Sequence, residues 1–193
     1  MSILVLTSDT LSNPAAAGQI EYNGQFFGTD STASRAQMQR ITQGTAVAST
    51  SGTSIDFTSI PSWVKRITVM FNGVSTSGTS VLQIQIGSGS VTTSGYVSQT
   101  STIANISVTA TSGFTQTYSH LAANVNGGLF VITLVSGLSY LGSGTLNTIA
   151  STNNAYINAG TITLGGVLDR VRITTVNGTD TFDAGSVNIL YEG

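Results

Sequence analysis

The sequence predicts an all-β protein: an antiparallel β-sandwich of jelly-roll-like type, preceded by a short N-terminal arm that contains a hairpin and one short helix. Three observations lead to this prediction. Apolar and polar residues alternate in several short segments, glycine-rich turn sequences separate these segments, and only one segment has the composition of a helix. Short alternating strands joined by tight turns are typical of two packed antiparallel sheets.

The N-terminal arm is expected to span residues 1–48 and to serve attachment or oligomerisation. The dipeptide Asn23-Gly24 stands between two short β-like segments, and it favours a two-residue hairpin because both residues accept positive φ. Residues 30–40 are rich in Ala, Arg, Gln and Met, which favour a short helix. Met38 and Ile41 are its only apolar anchors, so this helix would need a partner surface.

The remaining residues, 49–193, are expected to form the β-sandwich domain. Segments 63–71, 80–86 and 167–173 alternate between apolar and polar residues, which predicts strands with one buried face. Segment 129–135 is apolar on both faces, as expected of a central strand that a second sheet or another subunit covers. The other predicted elements are strands at 91–97, 103–108, 114–118, 154–158, 161–164 and 187–191, and turns at 75–78, 126–128, 142–144 and 177–180.

Charge is scarce throughout the chain. Only 7% of the residues are Asp, Glu, Lys or Arg, and the net charge is -2, whereas an ordinary soluble domain has about 25% charged residues. Without a basic surface the chain is not expected to bind nucleic acid. It contains no cysteine, which excludes disulfides and thiol chemistry. We find no signal-peptide pattern and no apolar run of membrane-spanning length, so membrane insertion is not expected.

Residues that could carry catalysis are few. His120 is the only histidine, and no nucleophile elbow of the Gly-x-Ser-x-Gly kind accompanies it. Glycoside hydrolysis needs two neighbouring carboxyl groups. Of the eight acidic residues, Asp169 alternates with Arg170 and Arg172 in one strand and is expected to form cross-strand ion pairs. We therefore expect neither an enzyme nor a cofactor.

One metal site is conceivable near the C-terminus. Asn177, Asp180 and Asp183 lie close together in the sequence, and side-chain oxygens of this kind can bind calcium. The alternative is that these short polar side chains cap a turn. Both interpretations stay open from the sequence.

A ligand-binding surface is the remaining possibility. Tyr96, Tyr118, Tyr140 and Tyr156 each stand beside small or polar residues, and exposed aromatic rings in loops can stack on uncharged sugars. Together with His120, these four tyrosines are the candidate ligand-binding residues. The alternative for each tyrosine is a strand position whose hydroxyl reaches the edge of the sheet.

Four segments carry a resemblance to a known group of proteins. They read PAAAGQIEYNG at 14–24, SGTSIDFTSIPSWVKRITV at 51–69, GVSTSGTS at 73–80 and LDRVRITTVNGTDTFDAGSVNI at 168–189. These segments resemble virion proteins of tailed bacteriophages, of the tail fibre or tail protein type. The chain lacks the long shaft of a typical fibre.

The resemblance implies a non-enzymatic structural protein, assembled in the host cytoplasm and exposed on the released particle. Proteins of this kind are usually homotrimers, so the implied partners are further copies of the chain, other virion proteins of the tail or capsid, and a host-surface glycan. Two roles stay open: a tail component of receptor-binding type, and a capsid decoration or head-fibre protein that stabilises the shell. A polysaccharide depolymerase is disfavoured because paired acidic residues are scarce.

Overall fold

A computed structural model describes residues 10–11, 14–23, 25–102, 107–149 and 153–193. Within these ranges the chain is all-β, with antiparallel strand pairs and no helix, and hence no helix that could span a membrane. The strands are β1 Ile20–Tyr22, β2 Phe26–Thr29, β3 Arg35–Gln37, β4 Ile41–Gln43, β5 Val47–Ala48, β6 Ser54–Phe57, β7 Arg66–Thr76, β8 Leu82–Ser88, β9 Ser90–Val91, β10 Val97–Thr102, β11 Ser107–Ala110, β12 Phe114–Thr115, β13 Val125–Ser136, β14 Ser139–Ile149, β15 Asn154–Thr163, β16 Arg170–Thr175 and β17 Phe182–Glu192.

The chain divides into two compact units, of which the first ends at Arg40 and the second runs from Ile41 to Gly193. Residues 41–48, which the sequence analysis assigned to the arm, contain β4 and β5, and both strands pair with β17 of the second unit. The boundary therefore lies before β4 rather than at residue 48.

The first unit is a three-stranded antiparallel sheet in the order β1-β2-β3. The predicted hairpin is present as β1 and β2, and its turn residue Gly24 lies outside the described residues. An ion pair also joins β3 to β1, since Arg35 Nε lies 2.7 Å from Glu21 Oε2.

The predicted helix at 30–40 is wrong, because these residues form a turn and then β3. Asp30 Oδ1 accepts hydrogen bonds from the backbone N–H groups of Thr32 and Ser34, at 2.8 and 2.9 Å. Ala33 adopts a φ of 62°, which no helix accommodates. An aspartate that bonds its own backbone two residues ahead favours a turn over a helix, and β2 then provides the partner for β3.

The second unit contains two antiparallel sheets. The larger has nine strands in the order β11-β10-β15-β14-β13-β7-β17-β4, with β5 also paired to β17. The smaller has five strands in the order β12-β8-β16-β6, with β9 paired to β8. Side chains from both sheets meet in one hydrophobic core, so the arrangement is sandwich-like.

Alternating strands build this core, as the sequence predicted. Leu82, Ile84 and Ile86 of β8 face inward and are fully buried, as are Val171 and Ile173 of β16. From the larger sheet the buried residues include Ile67, Val69, Phe71, Phe130, Ile132, Val187 and Ile189. Burying each such side chain contributes about 1.5–3 kcal/mol to folding.

Several predicted boundaries are wrong. One strand, β15, takes the place of the two predicted strands at 154–158 and 161–164. The predicted strand at 91–97 is extended only at Val91 in β9 and at Val97 in β10, and the one at 114–118 only in β12. Residues 103–106 of a further predicted strand lie outside the described residues. The glycines at 126–128 and 142–144 lie within β13 and β14 rather than in turns.

Segment 129–135 is buried on one face only. Phe130 and Ile132 enter the core, whereas Leu129 and Val135 are exposed. The smaller sheet covers the inner face of this strand, and nothing in the second unit covers its outer face within the described residues.

Candidate functional site

Three of the four candidate tyrosines are core residues. Tyr96, Tyr140 and Tyr156 are buried, which contradicts their prediction as exposed loop aromatics. The fourth, Tyr118, is half-buried and packs against the hydrophobic core. Buried rings cannot stack on an external sugar, so the prediction is wrong for these three residues. Tyr140 and Tyr156 lie in β14 and β15, as the alternative of strand tyrosines predicted, whereas Tyr96 and Tyr118 lie outside the strands.

The hydroxyl groups of the buried tyrosines bond to the backbone. Tyr96 Oη accepts a hydrogen bond from Ile86 N at 2.7 Å and lies 3.1 Å from Thr92 O. Its ring meets Phe114 edge-on at a centroid distance of 5.0 Å. Burial raises the pKa of Tyr96 to about 12. This tyrosine therefore fixes the segment before β10 to β8.

His120 is buried beside β7. Its Nε2 lies 2.9 Å from Thr76 Oγ1, and its Nδ1 has no hydrogen-bond partner among the described residues. Burial lowers the pKa of His120, and the charges of Asp180 and Asp183 oppose that shift. A serine-histidine-acid arrangement requires an acid bonded to the second ring nitrogen, and among the described residues no acid bonds to His120 Nδ1.

Asn177 and Asp180 cap a turn. Asp180 Oδ1 accepts a hydrogen bond from Asn177 Nδ2 at 2.7 Å, and Asp180 Oδ2 accepts one from Ser80 N at 2.9 Å. These hydrogen bonds lower the pKa of Asp180. Both carboxylate oxygens are thus occupied by donors, and Asp183 is exposed in β17.

The calcium hypothesis is not supported by this arrangement. An amide nitrogen, not an oxygen, points from Asn177 to Asp180. No group of three or more His, Asp or Glu side chains in the described part of the chain could hold a metal ion. The alternative, turn capping, accounts for the contacts of Asn177 and Asp180.

A concave site lies elsewhere, on the outer face of the smaller sheet. This polar cleft has a volume of about 300 Å³. It is formed by β6, β8 and β16 together with the segments around residues 93, 112 and 177. Its lining residues are Thr53, Ser54, Gln83, Gln85, Thr93, Ser112, Arg172, Thr174, Thr175, Val176, Asn177 and Gly178.

The floor of the polar cleft consists of two fixed amides. Gln83 Nε2 donates to Thr175 O at 3.3 Å, and Gln83 Oε1 accepts from Ser112 Oγ at 2.9 Å. Gln85 Nε2 donates to Ser112 O at 2.9 Å. Both glutamines alternate outward from β8 as predicted, yet both are buried, because the segment around Ser112 lies against them.

One wall carries a charge pair. Arg172 donates from Nε and Nη2 to the two carboxylate oxygens of Asp56, at 2.7 and 2.8 Å. The pair raises the pKa of Arg172, with the Asp56 hydrogen bond as the main cause. Because the guanidinium is paired with a carboxylate, it adds no net charge to the polar cleft. The two hydrogen bonds hold its planar group in place at the side of the cleft.

The polar cleft can form hydrogen bonds to an uncharged ligand. Hydroxyl and amide groups dominate its lining, and Val176 is its one aliphatic side chain. Its volume is at the lower end of the range of about 300–1,000 Å³ that is common for small-ligand sites. Donors and acceptors without net charge suit a polyhydroxylated molecule such as a sugar.

Sequence reasoning did not find the polar cleft. The outward positions of Gln83 and Gln85 were the available signal, since glutamine repeats on one face of β8. The cleft also needs β6 and β16 beside each other, and no local pattern reveals a pairing between residues that are more than a hundred positions apart.

No protein-family model, no curated protein and no solved structure matches this chain.

Proposed function

We propose that this chain is a non-enzymatic structural protein of a tailed-phage virion, a homotrimeric component of tail-fibre or receptor-binding type. The observation that carries the proposal is the resemblance of segments 51–69 and 168–189 to such proteins. In the fold these two segments are neighbours, since β6 pairs with β16 and β7 pairs with β17. The resembling residues thus form one continuous part of the second unit.

The polar cleft replaces the tyrosines as the proposed site for a host-surface glycan. Hydroxyl groups such as those of Thr53 and Thr93 line it, two amides held by hydrogen bonds to Thr175 and Ser112 form its floor, and the Arg172–Asp56 pair leaves it without net charge. Sugars are bound by such hydrogen-bonding groups where the site is already formed before the ligand arrives.

The first unit is the proposed attachment part. It contains most of the N-terminal arm that the sequence analysis expects to serve attachment or oligomerisation, and it is compact by itself. The proposed location of the protein is the virion, after assembly in the host cytoplasm. A jelly-roll-like order of strands is also part of this proposal, although β13, β14 and β15 follow one another as a simple meander.

The location is tested by counting copies in purified virions with quantitative mass spectrometry. A tail component is expected in tens of copies per particle, because a tail offers few equivalent positions. Hundreds of copies would instead identify the alternative, a capsid decoration or head-fibre protein. Absence from purified particles would contradict both roles.

Glycan binding is tested by a matched pair of variants. Thr53 is exposed and lines the polar cleft, whereas Thr58 is exposed and does not. We expect purified Thr53→Arg protein to lose at least about tenfold in its ability to inhibit phage adsorption to host cells, an effect of about 1.4 kcal/mol. Thr58→Arg should compete like the unmodified protein. Equal competition by both variants would exclude the polar cleft as the receptor site.

A further inference from the structure

The outer face of the larger sheet exposes aliphatic side chains. Val97 is 73% exposed, Ile157 58%, Leu129 46% and Leu141 44%. They belong to four adjacent strands, β10, β15, β14 and β13. Soluble proteins seldom leave several large aliphatic residues together on one flat sheet face, because such a surface is prone to association.

Strand register places these residues on one surface. Leu129 pairs with Thr145, and Thr145 pairs with Ile157. Two outward-facing positions further along the same strands, Leu141 pairs with Thr161, and Thr161 pairs with Val97. Between the aliphatic side chains lie small or hydroxyl-bearing residues: Ser143, Thr145, Ala159 and Thr161.

Most of this surface carries no charge. Residues 67–168 contain no Asp, Glu, Lys or Arg, and they include all of β8 to β15. The charged groups of the face lie at its margin: Arg66 and Glu192, whose Nε and Oε2 atoms are 3.5 Å apart at one end of β7 and β17, and the exposed Asp183 at the other end of β17. About 25–35% charged residues are usual on a soluble surface, so this one is poorly suited to permanent contact with water.

We propose that copies of this chain associate through this outer face, defined by the outward residues of β10, β15, β14, β13, β7 and β17. The proposal rests on the homotrimer proposed above and names the surface that forms it. In a threefold assembly the same face of each copy can turn towards the common axis, and its uncharged strands β10, β15, β14 and β13 then meet those of the neighbours without like-charge repulsion and without the cost of removing water from unpaired ions.

The size of the face fits a subunit interface. The six adjacent strands from β10 to β17 contain about ten residues each and, at about 4.8 Å spacing and about 3.4 Å per residue, cover roughly 1,000 Å². A stable interface of standard size takes about 800 Å² from each partner. A lipid surface is a poorer partner, because peripheral membrane binding relies on clusters of basic residues, and the strands of this face contain a single one, Arg66, which is paired with Glu192.

Single introduced thiols test the proposal directly, because the chain has no cysteine of its own. Ile157→Cys places a thiol on the outer face, and Val167→Cys places one at a similarly exposed aliphatic position, 52% exposed, outside it. In the assembled full-length protein we expect a bulky maleimide to react at least about tenfold more slowly at position 157 than at 167. Equal rates, with an oligomer present, would overturn the outer face as the interface.

A second pair of variants tests whether the face holds the oligomer together. We expect light scattering to give a trimer for the unmodified chain, and Ile157→Glu to move it towards monomer while Val167→Glu leaves it intact. A trimer that resists Ile157→Glu would overturn the interface and leave the proposed homotrimer standing. A monomer at all concentrations would overturn the interface and the homotrimer, whereas the virion assignment is decided separately by the copy count.

Discussion

His120 connects burial to pH at the scale of a single residue. It is the only histidine in the chain and is 3% exposed. Burial lowers the pKa of the folded state below the ordinary value of 6.5, against the opposing charges of Asp180 and Asp183. The folded protein therefore binds the proton less readily than the unfolded chain, so the free energy of unfolding decreases as the pH falls below about 6.5.

We predict that replacing this residue removes that pH dependence. His120→Asn should show a flatter free energy of unfolding between about pH 7 and pH 5.5, a window in which histidine is the side chain that titrates. Urea unfolding at several pH values measures the slope for each protein. The two proteins are compared by the slope of the free energy of unfolding against pH and not by its absolute value, because the substitution also removes the contact with Thr76. Identical slopes would show that His120 is as easily protonated in the fold as outside it.

Gly142 shows why glycine occurs on the inner face of a strand. A Cβ at this position would lie 2.5 Å from Phe130 Cζ and 3.2 Å from Phe114 Cε1, and both rings are fully buried. We predict that Gly142→Ala lowers the free energy of unfolding by about 1–3 kcal/mol, as overpacked cores do. Gly165→Ala is the control, since nothing lies within 4 Å of its Cβ. Thermal unfolding compares the two, and equal stability would mean that the aromatic rings move aside.

The same residues explain what could be predicted from the sequence. Alternation correctly placed Leu82, Ile84 and Ile86 inside, because the inward and outward positions of a strand follow from a period of two. It failed at Tyr140, where neighbouring serine and glycine suggested a loop, and at Tyr156, where neighbouring asparagine and alanine did so. In this chain glycine makes room for Phe114 and Phe130 within long strands, and only the packing of the two sheets reveals that need.

At the scale of elements, the turn after β2 decides between a strand and a helix. Asp30 Oδ1 also accepts a hydrogen bond from Thr32 Oγ1, at 2.7 Å, and these bonds lower the pKa of Asp30. Residues 30–40 have helix-favouring composition, yet a few turn contacts and the edge of β2 outweigh it. The intrinsic preference of residues for a helix is a weak guide where a neighbouring strand offers backbone hydrogen bonds.

We predict opposite effects from two substitutions in this turn. Asp30→Ala should speed amide hydrogen exchange in β2 and β3, because the turn loses its side-chain acceptor. Ala33→Gly should slow it, by about fivefold for a gain of about 1 kcal/mol, because glycine adopts the positive φ of Ala33 without strain. Exchange in β8 should be unchanged in both proteins. Equal exchange in β3 for all three proteins would show that the turn does not govern the strand.

The whole molecule depends on pairings between distant parts of the chain. β6 pairs with β16, and β5 pairs with β17, although more than a hundred residues separate the partners in the sequence. The sequence predicted β7, β8 and β16 with their buried faces, but neither β6 nor β14. It did not predict the order of the strands, because each strand is compatible with several partners. The polar cleft and the outer face are products of that order, which is why the sequence indicated neither.

The boundary between the two units gives a prediction for the complete fold. β4 and β5 cover the edge of β17, where Gly44 N donates to Ile189 O at 2.7 Å and Ser49 N to Gly185 O at 2.9 Å. A protein of residues 41–193 should therefore retain the melting temperature of the second unit. A protein of residues 49–193 should melt lower by roughly 4–8 °C, for a loss of about 2 kcal/mol.

The shorter protein should also aggregate more readily, because the uncovered edge of β17 can pair with another chain. Calorimetry and light scattering on the two proteins, at equal concentration, measure both effects. Equal melting temperatures would place the boundary at residue 48, as the sequence suggested, and would mean that β4 and β5 add nothing to the sheet. A lower melting temperature already at 41–193 would mean instead that the second unit depends on the first for its stability.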